Sequence, residues 1–217
     1  GMAKRVVRSA GLATPDFAEI REPGDVDEVN LPYPLFAKPL AEGSGKGISS
    51  KSRIADPRQL REVCLDLLAR FNQPVLVETF LPGREFTVGV TGTGRRAVCT
   101  GMMEVLFTSD DAAGIYSHHT KTNYEDLVQY TSVEGEVARA CEELALAVWR
   151  VLGGRDAGRV DVRFDDRGLA NFIEVNPLPG LNYIHSDLPI LCKMNGIGFT
   201  QLIGRIMESA ALRVKPA

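Results

Sequence analysis

Apolar residues recur with the period of an α-helix in three stretches of the chain. The first begins at Pro57 with Asp56 as its N-cap, the second spans about 132–152, and the third lies near the C-terminus. Their apolar stripes are Leu60, Val63, Cys64, Leu67, Leu68 and Phe71; Val137, Cys141, Leu144, Ala145, Val148 and Leu152; and Phe199, Leu202, Ile203, Ile206 and Met207. A shorter helix is predicted around Lys4–Ala10.

Short runs typical of β-strands lie between these helices. The predicted strands are Pro34–Lys38, Val75–Glu78, Glu85–Thr91, Arg96–Glu104, Gly158–Phe164 and Ala170–Val175. Gly92-Thr93-Gly94 and residues 165–168 predict hairpin turns. Since hairpins are antiparallel and helices lie between them, the pattern predicts an α+β fold rather than a doubly wound parallel sheet. The polar stretch 108–130 has no clear period and is predicted to be a long loop, which in compact domains is often a lid.

The composition restricts the class of protein. The chain has 217 residues, 44% of them hydrophobic, and a net charge of −3, which predicts a globular protein without a nucleic-acid surface. No apolar run approaches the roughly 20 residues of a membrane span, so no membrane partner is expected. The four cysteines form no CxxC pair, which argues against structural zinc and predicts buried thiols in a reducing, cytoplasmic location.

Two carboxylates are predicted to face each other in the hairpin at 158–176. Side chains alternate between the faces of a strand, so Glu174 and Asn176 share one face of the second strand while Ile173 and Val175 share the other. If the turn joins the two strands, Asp161 lies opposite or diagonal to Glu174 on one face. Two carboxylates at that separation repel each other unless a cation lies between them.

The chemistry of this hairpin suggests a metal site. Asp161, Glu174 and the amide oxygen of Asn176 suit Mg²⁺, which completes its octahedron with phosphates and water. Arg159 lies on the same face and is placed to hold a phosphate or a developing oxyanion. The alternative is a half-exposed sheet face with an ordinary Asp–Arg ion pair.

A glycine-rich loop follows the first predicted strand. Gly43, Gly45 and Gly47 let backbone N–H groups approach an anion, and Lys38 and Lys46 are placed to reach phosphates as point charges. The spacing fits neither a Walker A loop nor GxGxxG. A mobile hairpin tip is the alternative.

The segment 75–86 suggests an adenosine site. Phe80 and Leu81 are candidates for the walls of an adenine pocket, and the backbone of 79–81 for hydrogen bonds to its edge. Glu78 and Glu85 are placed to accept hydrogen bonds from adenine or ribose groups. Ordinary core and turn positions are the alternative for Phe80 and Leu81.

Together and in order, these segments resemble the ATP-grasp superfamily, and within it the D-alanine–D-alanine ligase family, over nearly the whole chain. The residues that carry the resemblance are Ala37-Lys38-Pro39 with Glu42-Gly43-Ser44; Val77-Glu78-Thr79-Phe80-Leu81 with Gly83-Arg84-Glu85-Phe86-Thr87-Val88; Tyr116 and Lys121; Gly158-Arg159-Val160-Asp161-Val162; and Phe172-Ile173-Glu174-Val175-Asn176-Pro177 with Pro179-Gly180. The resemblance implies two lobes, each with an antiparallel sheet and helices, and a nucleotide bound between them. It implies an entry helix and strand at 1–30, a smaller lobe at 31–95 that carries the glycine-rich loop, and a larger lobe at 96–217 that carries the metal site.

The resemblance also implies a role for each matching residue. The ATP contacts are Lys4, Lys38, Glu42, Gly43, Gly45, Lys46, Gly47, Glu78, Phe80, Leu81, Glu85 and Lys121; the Mg²⁺ ligands, with Mn²⁺ as the alternative metal, are Asp161, Glu174 and Asn176; the catalytic residues are Arg159, Ser44 and Lys121; and the substrate contacts are Asn176, Gly180 and Ser186. The implied enzyme is an ATP-dependent ligase that joins two amino acids through an acylphosphate, in cell-wall precursor synthesis.

Other features leave the substrates open. Thr122 follows Lys121 where the family usually has tyrosine, and Pro177-Leu178 replaces a small polar pair. His118 and His119 are candidates for recognising a different acceptor or acting as a base, or are plain loop residues. The family also has an N-terminal substrate domain before the segment equivalent to Lys4, which is expected from the same or another chain, and a homodimer is a possible assembly. The alternatives are an ATP-grasp ligase for other carboxylates and amines, and a nucleotide-binding fragment that is inactive alone.

Overall fold

The structure is a computed structural model that describes residues 1–43, 45–107 and 128–214. Contacts between Cα atoms divide these residues into two units. Unit 1 is Pro15–Pro82 with Gly1 and the described residues on either side of 108–127, and unit 2 is Met2–Thr14, Gly83–Val105 and residues 130–214. The lobe boundaries predicted from the sequence stay predictions.

Unit 1 is a four-stranded antiparallel sheet with one helix. Its elements are β1 (Phe17–Ile20), β2 (Leu35–Pro39), β3 (Arg53–Ile54), α1 (Pro57–Phe71) and β4 (Val75–Thr79), with 3₁₀ turns at Pro23–Glu28 and Ser50–Ser52. The strand order is β1-β4-β2-β3. The apolar side chains of α1 and of the sheet form one core, which includes Ile20, Leu35, Leu60, Leu67 and Val77.

The predicted caps of α1 are present. Asp56 lies outside the helix and its carboxylate accepts the backbone N–H of Gln59 at 2.9 Å, as an N-cap does. Asn72 ends the helix in the left-handed conformation, with φ of 49°. Leu60, Cys64 and Leu67 of the apolar stripe are buried, so the helical period correctly predicted which face of α1 packs against the sheet.

Unit 2 contains a five-stranded antiparallel sheet and four helices. Its elements are α2 (Met2–Ser9), β5 (Glu85–Thr91), β6 (Val98–Phe107), β7 (Val128–Thr131), α3 (Gly135–Val151), β8 (Ala157–Phe164), β9 (Ala170–Asn176), α4 (Asp187–Met194) and α5 (Phe199–Ala211), with a 3₁₀ turn at Gly94–Arg96. The strand order is β7-β6-β5-β8-β9. Helices pack on it through two clusters, one that includes Trp149 of α3 and one that includes Leu188 of α4 and Leu202 of α5.

A glycine sets how closely α4 packs on the sheet. Gly89 in β5 has no side chain, and a Cβ there would lie 2.5 Å from Cδ1 of Leu191. This close approach brings the first residue of α4, Asp187, next to the sheet face that carries Arg159 of β8.

The α+β prediction is confirmed, with two antiparallel sheets and helices. All six predicted strands and all four predicted helices are present, but β1, β3, β7 and α4 were not predicted. Cys64, Cys141 and Cys192 are buried and unpaired, as expected. None of the helices among the described residues is long and apolar enough to cross a lipid bilayer.

Candidate functional site

The hairpin of β8 and β9 brings the two predicted carboxylates face to face. In its antiparallel register Asp161 pairs with Glu174, and Arg159 pairs with Asn176. Directly opposite residues have Cβ atoms about 4.5–5.5 Å apart. Four predicted site residues therefore occupy two neighbouring cross-strand pairs.

A β-bulge in β9 corrects the strict alternation predicted for this strand. Asp161 pairs with Glu174, but the next residue, Val162, pairs with Phe172, so Ile173 is one residue in excess. Phe172 and Val175 consequently both pack in the core below the sheet, although they are three residues apart. Strict alternation would place Phe172 on the face of Glu174 and Asn176, and the inserted Ile173 is the reason that Phe172 packs in the core instead.

Asp161 is held in one orientation from two sides. The residue is 9% exposed, and the hydroxyl of Thr87, its register partner in β5, donates a hydrogen bond to Oδ1 at 2.9 Å. The other carboxylate oxygen, Oδ2, lies 3.6 Å from Nη2 of Arg159. The carboxylate is thus fixed on the sheet face before any cation is added.

Arg159 is enclosed by acidic groups. Its Nη1 forms an ion pair with Oδ2 of Asp187, and the side chains of Arg159 and Asp187 are only 11% and 9% exposed. The hydroxyl of Tyr130 in β7 donates to Oδ1 of Asp187 at 3.4 Å, a long hydrogen bond. A chain of polar contacts therefore links Thr87, Asp161, Arg159, Asp187 and Tyr130.

Three of these residues were absent from the predicted site. Thr87 gave no signal, because its contact with Asp161 joins positions 74 residues apart. Asp187 did give one, since Ser186 followed by an acidic residue and the apolar Leu188 and Leu191 is typical of a helix N-terminus. Tyr130 is the last residue of the unperiodic stretch 108–130 and carried no distinctive pattern.

The donor set of the hairpin fits magnesium. Asp161, Glu174 and Asn176 supply only oxygen atoms, which are the ligands that Mg²⁺ prefers, together with water and phosphate. Glu174 is exposed, and Oδ1 of Asn176 accepts the N–H of Leu178 at 3.2 Å. In the part of the chain that the structure describes, no three His, Cys, Asp or Glu side chains form a metal-binding group. A cation here therefore depends on the amide of Asn176 and on ligands from a substrate.

The glycine-rich loop is the connection between β2 and β3. Lys46 pairs with Glu42 at 3.1 Å, and the amide of Gln73 donates to the same carboxylate at 2.9 Å. The Lys46 ammonium, with Gln73, holds the pKa of the Glu42 carboxyl below its usual range, although burial opposes the shift. The loop is thus closed by its own side chains, while Lys38 lies half-buried in β2.

The segment predicted to hold adenosine lies at the end of β4. Glu78, Phe80 and Leu81 are buried at 3%, 9% and 7% exposure, and the guanidinium of Arg53 lies 4.7 Å from the centre of the Phe80 ring. The N–H of Thr79 donates to the carbonyl of residue 16 at 2.8 Å, and that of Phe80 to the carbonyl of residue 34 at 3.0 Å. Two of the three backbone donors at 79–81 are therefore used inside unit 1.

Two more predicted ATP contacts lie in unit 2. Glu85 begins β5 and accepts Nη1 of Arg163 at 3.0 Å. Lys4 of α2 is 3% exposed, and its Nζ donates to the hydroxyl of Thr14 at 3.2 Å and the carbonyl of Phe172 at 3.1 Å. The predicted roles of both residues stay predictions.

The predicted substrate end is formed by the segment between β9 and α4. Gly180 and Ser186 lie together, since a Cβ at Gly180 would be 2.6 Å from Oγ of Ser186. The same Oγ accepts the N–H of Asn182 at 3.0 Å. The predicted residues Ser44 and Lys121, and also Tyr116, His118, His119 and Thr122, lie outside the described residues.

A cavity of about 330 Å³ in unit 2 contains none of the predicted site residues. It is lined by Trp149, Leu152, Gly153, Gly154, Arg155, Asp156, Val175, Pro177 and Leu178. The candidate site therefore rests on the polar face of the hairpin and not on this cavity.

Comparison with known proteins identifies the family of the chain. The protein family described as D-ala D-ala ligase C-terminus matches residues 6–208. This chain belongs to the D-alanine–D-alanine ligase family. The D-alanine–D-alanine ligase of Bordetella avium is 31% identical over 219 residues, which cover 99% of this chain and 66% of that protein. The ligase of Aquifex aeolicus is 31% identical over 207 residues, covering 94% and 66%.

Solved ligase structures share the fold. D-alanine–D-alanine ligase from Bacillus anthracis complexed with ATP has a TM-score of 0.72 at 21% identity, covering 97% of this chain and 65% of that one. VanG D-Ala:D-Ser ligase from Enterococcus faecalis has a TM-score of 0.74 at 24% identity, covering 95% and 60%. The predicted ATP-grasp fold is confirmed. The chain spans slightly less than two thirds of the length of these ligases.

Proposed function

We propose that this chain is the ATP- and magnesium-binding part of an ATP-dependent carboxylate–amine ligase, with D-alanine–D-alanine ligation as its reaction. The observation that carries the proposal is the pairing of Asp161 with Glu174 beside Arg159 on one sheet face. Family membership and the ATP complex of the Bacillus anthracis ligase support it. The proposal includes a cytoplasmic location and free amino acids as substrates.

In this proposal the metal site lies on the hairpin. Asp161, Glu174 and Asn176 hold Mg²⁺, or Mn²⁺ in its place, and the bound cation offsets the negative charge of the nucleotide phosphates. Thr87 keeps the Asp161 carboxylate oriented for that contact. Arg159 presents a guanidinium on the same face, which stabilises negative charge that develops on the transferred phosphoryl group.

The proposed nucleotide contacts are those that the family resemblance implies for the lysines, the glycine-rich loop and the end of β4. Lys38, Lys46 and Lys121 supply positive charge to the phosphates, and backbone N–H groups of the loop at 43–47 add hydrogen bonds. Because the N–H groups of residues 79 and 80 donate inside unit 1, we assign the adenine edge to the N–H of Leu81. Glu85 would accept a hydrogen bond from a ribose hydroxyl, and its hydrogen bond from Arg163 would weaken as a result.

The proposed reaction has two steps. An oxygen of the donor carboxylate attacks the γ-phosphorus of ATP, and the bond from this phosphorus to the β,γ-bridging oxygen breaks. ADP departs, and an acylphosphate remains. The amine nitrogen of the second substrate then attacks the acyl carbon, inorganic phosphate leaves, and one proton is released as the amide forms. The residues contribute position and electrostatic stabilisation, which account for much of phosphoryl-transfer catalysis.

A second candidate is a ligase that joins a different pair of substrates. It is favoured by the segment after Asn176, where Pro177 and the 89%-exposed Leu178 replace the small polar pair of the family. The acidic Asp187 beside Ser186 also gives this end of the site an unexpected charge. Both features lie at the substrate end, and the proposed ATP contacts are the same for either candidate.

Phosphate release tests the proposal with the full-length protein encoded by its gene. We expect ATP hydrolysis to depend on Mg²⁺ and D-alanine, and mass spectrometry to detect D-alanyl-D-alanine. Glu174→Gln removes a proposed ligand from an exposed position and is expected to lower the rate at least about tenfold. Glu208→Gln in α5 is the control for loss of one negative charge.

The outcomes separate the candidates. Phosphate release with another amino-acid pair, but not with D-alanine, would select the second candidate. ATP binding without phosphate release for any tested pair would indicate a nucleotide-binding module. The absence of ATP binding would reject both ligase proposals.

A further inference from the structure

The guanidinium of Arg159 is held between two carboxylates that differ in their other partners. Asp161 contributes Oδ2 at 3.6 Å from Nη2, which is too long for a strong hydrogen bond. Asp187 contributes Oδ2 in direct contact with Nη1. The arginine is therefore paired with the first residue of α4 as well as with the neighbouring proposed metal ligand.

Asp187 comes to the site from a separate element. It is 8% exposed as a residue, and a carboxylate this buried is stable only when it is paired and hydrogen-bonded. Arg159 and the hydroxyl of Tyr130 meet its two oxygens. The position of α4, set by the contact of Leu191 with Gly89, thus determines where this carboxylate lies.

The two carboxylates have different tasks once a cation is present. A metal bound to Asp161 would share the carboxylate oxygen that faces Arg159, so the attraction between Asp161 and the guanidinium would weaken. Asp187 is not one of the proposed metal ligands, so it continues to hold Nη1. An arginine fixed at one end keeps its remaining N–H groups aimed at the sheet face without reorganisation.

We propose that Asp187 is a positioning residue that holds Arg159 in the orientation needed to stabilise the transferred phosphoryl group. Its effect on catalysis rests on the proposed function, whereas its effect on the place of Arg159 does not. Tyr130 supports it by fixing the second carboxylate oxygen. The competing explanation is that Asp187 only stabilises the N-terminus of α4.

Binding of a phosphoryl-transfer analogue distinguishes the two explanations. Mg·ADP with aluminium fluoride mimics the transferred group, whereas Mg·ADP alone does not contain it. For Asp187→Asn we expect affinity for the analogue to fall about tenfold or more, with affinity for Mg·ADP nearly unchanged. Asp187→Glu should restore part of the loss, and Tyr130→Phe should cause a smaller loss in the same direction.

A double-mutant cycle tests whether Asp187 acts through Arg159. In the background of Arg159→Gln, we expect Asp187→Asn to cause no further loss of analogue affinity. The matched control is Asp156→Asn, which removes the carboxylate paired with Arg213 elsewhere in unit 2. The Arg213 guanidinium holds the pKa of the Asp156 carboxyl below its usual range, and loss of this ion pair should leave the ratio of analogue affinity to ADP affinity unchanged.

Additive effects of the two site variants would overturn the proposal. So would an equal loss of affinity for Mg·ADP and for the analogue. If the unaltered protein binds no nucleotide, the proposed function fails. The positioning role is then tested separately, by comparing the place of the Arg159 guanidinium in crystal structures of the unaltered protein and of Asp187→Asn. A guanidinium that keeps its place in Asp187→Asn would then refute the positioning role.

Discussion

At the scale of single residues, a hydroxyl on a neighbouring strand orients the most important carboxylate. Thr87 and Asp161 are both buried, and their hydrogen bond orients the carboxylate so that its second oxygen, Oδ2, faces Arg159. A carboxylate with a fixed direction binds a cation without losing rotational freedom at that moment. The hydroxyl thus contributes both to the fold and to the proposed metal site.

Thr87→Val tests this contribution, since valine keeps the shape and removes the donor. We expect the free energy of unfolding to fall by about 1–2 kcal/mol and affinity for Mg·ATP to fall several-fold, because Asp161 loses a charged hydrogen bond. Urea denaturation and calorimetric titration measure the two effects. Thr91→Val is the control, because Thr91 lies on the same strand and is also buried. An equal change of affinity in both variants would contradict the specific role of Thr87.

The residue-level site was predictable only where its members are near each other in sequence. Asp161 and Glu174 lie on one hairpin, so alternation and turn placement sufficed to predict that they are opposite or diagonal. Thr87 and Asp187 reach the same place through β5 and α4, which requires the strand order and the helix packing to be known. The bulge at Ile173 was also unpredictable, since no glycine or proline marks it.

At the scale of elements, two of the three glycines in the loop between β2 and β3 have different structural requirements. Gly47 has φ of +83°, and a Cβ there would lie 2.5 Å from Cγ of Pro39 and 2.9 Å from the ring of Phe71. Gly43 is exposed, and a Cβ there would meet nothing within 4 Å. Gly47 is therefore required by the conformation of the loop, whereas the backbone at Gly43 leaves room for a side chain.

Substitution of these glycines by alanine separates folding from binding. Gly47→Ala is expected to lower the free energy of unfolding by about 2 kcal/mol or more, because the new Cβ is strained and crowded. Gly43→Ala should change it by no more than about 0.5 kcal/mol. Thermal denaturation compares the two variants. Equal destabilisation would mean that the loop has a different conformation, and loss of ATP affinity in Gly43→Ala alone would support its predicted phosphate contact.

The elements themselves were largely predictable from periodicity, while their neighbours in space were not. Long amphipathic helices such as α1 and α3 and alternating strands such as β5 and β8 carry strong patterns. By contrast, β3 has two residues and β1 four, which is too short for a period to show. The pairing of the edge strand β1 with β4 joins Phe17 to Glu78, a connection that local patterns do not encode.

At the scale of the whole molecule, each unit has apolar clusters of its own. The core of unit 1 lies between α1 and its four strands, and unit 2 has one cluster with α3 and another with α4 and α5. The proposed metal ligands and Arg159 all belong to unit 2, on strands that those clusters bury from below. A rigid sheet beneath the ligands reduces the reorganisation that binding requires.

Ligand binding to the native state should therefore raise the stability of the protein. A ligand that binds only the folded chain stabilises it by about 2.7 kcal/mol when its free concentration is 100 times Kd. We expect Mg·ATP to raise Tm by several degrees, and ATP with excess EDTA to raise it much less, because the carboxylate pair then repels the phosphates. Differential scanning calorimetry over a series of ATP concentrations measures the shift.

Two isosteric variants on the same hairpin identify its cause. Asp161→Asn removes the charge of a proposed ligand, so most of the magnesium-dependent shift should disappear. The control is Asp165→Asn, in the turn at the far end of β8. Asparagine keeps the Oδ1 that accepts the N–H groups of Arg167 and Leu169. The magnesium-dependent shift of this variant should equal that of the unaltered chain. Because both variants lose one negative charge, a general electrostatic effect would reduce the two shifts equally. Equal shifts in all three proteins would mean that the nucleotide binds without the hairpin, and the proposed metal site would then be wrong.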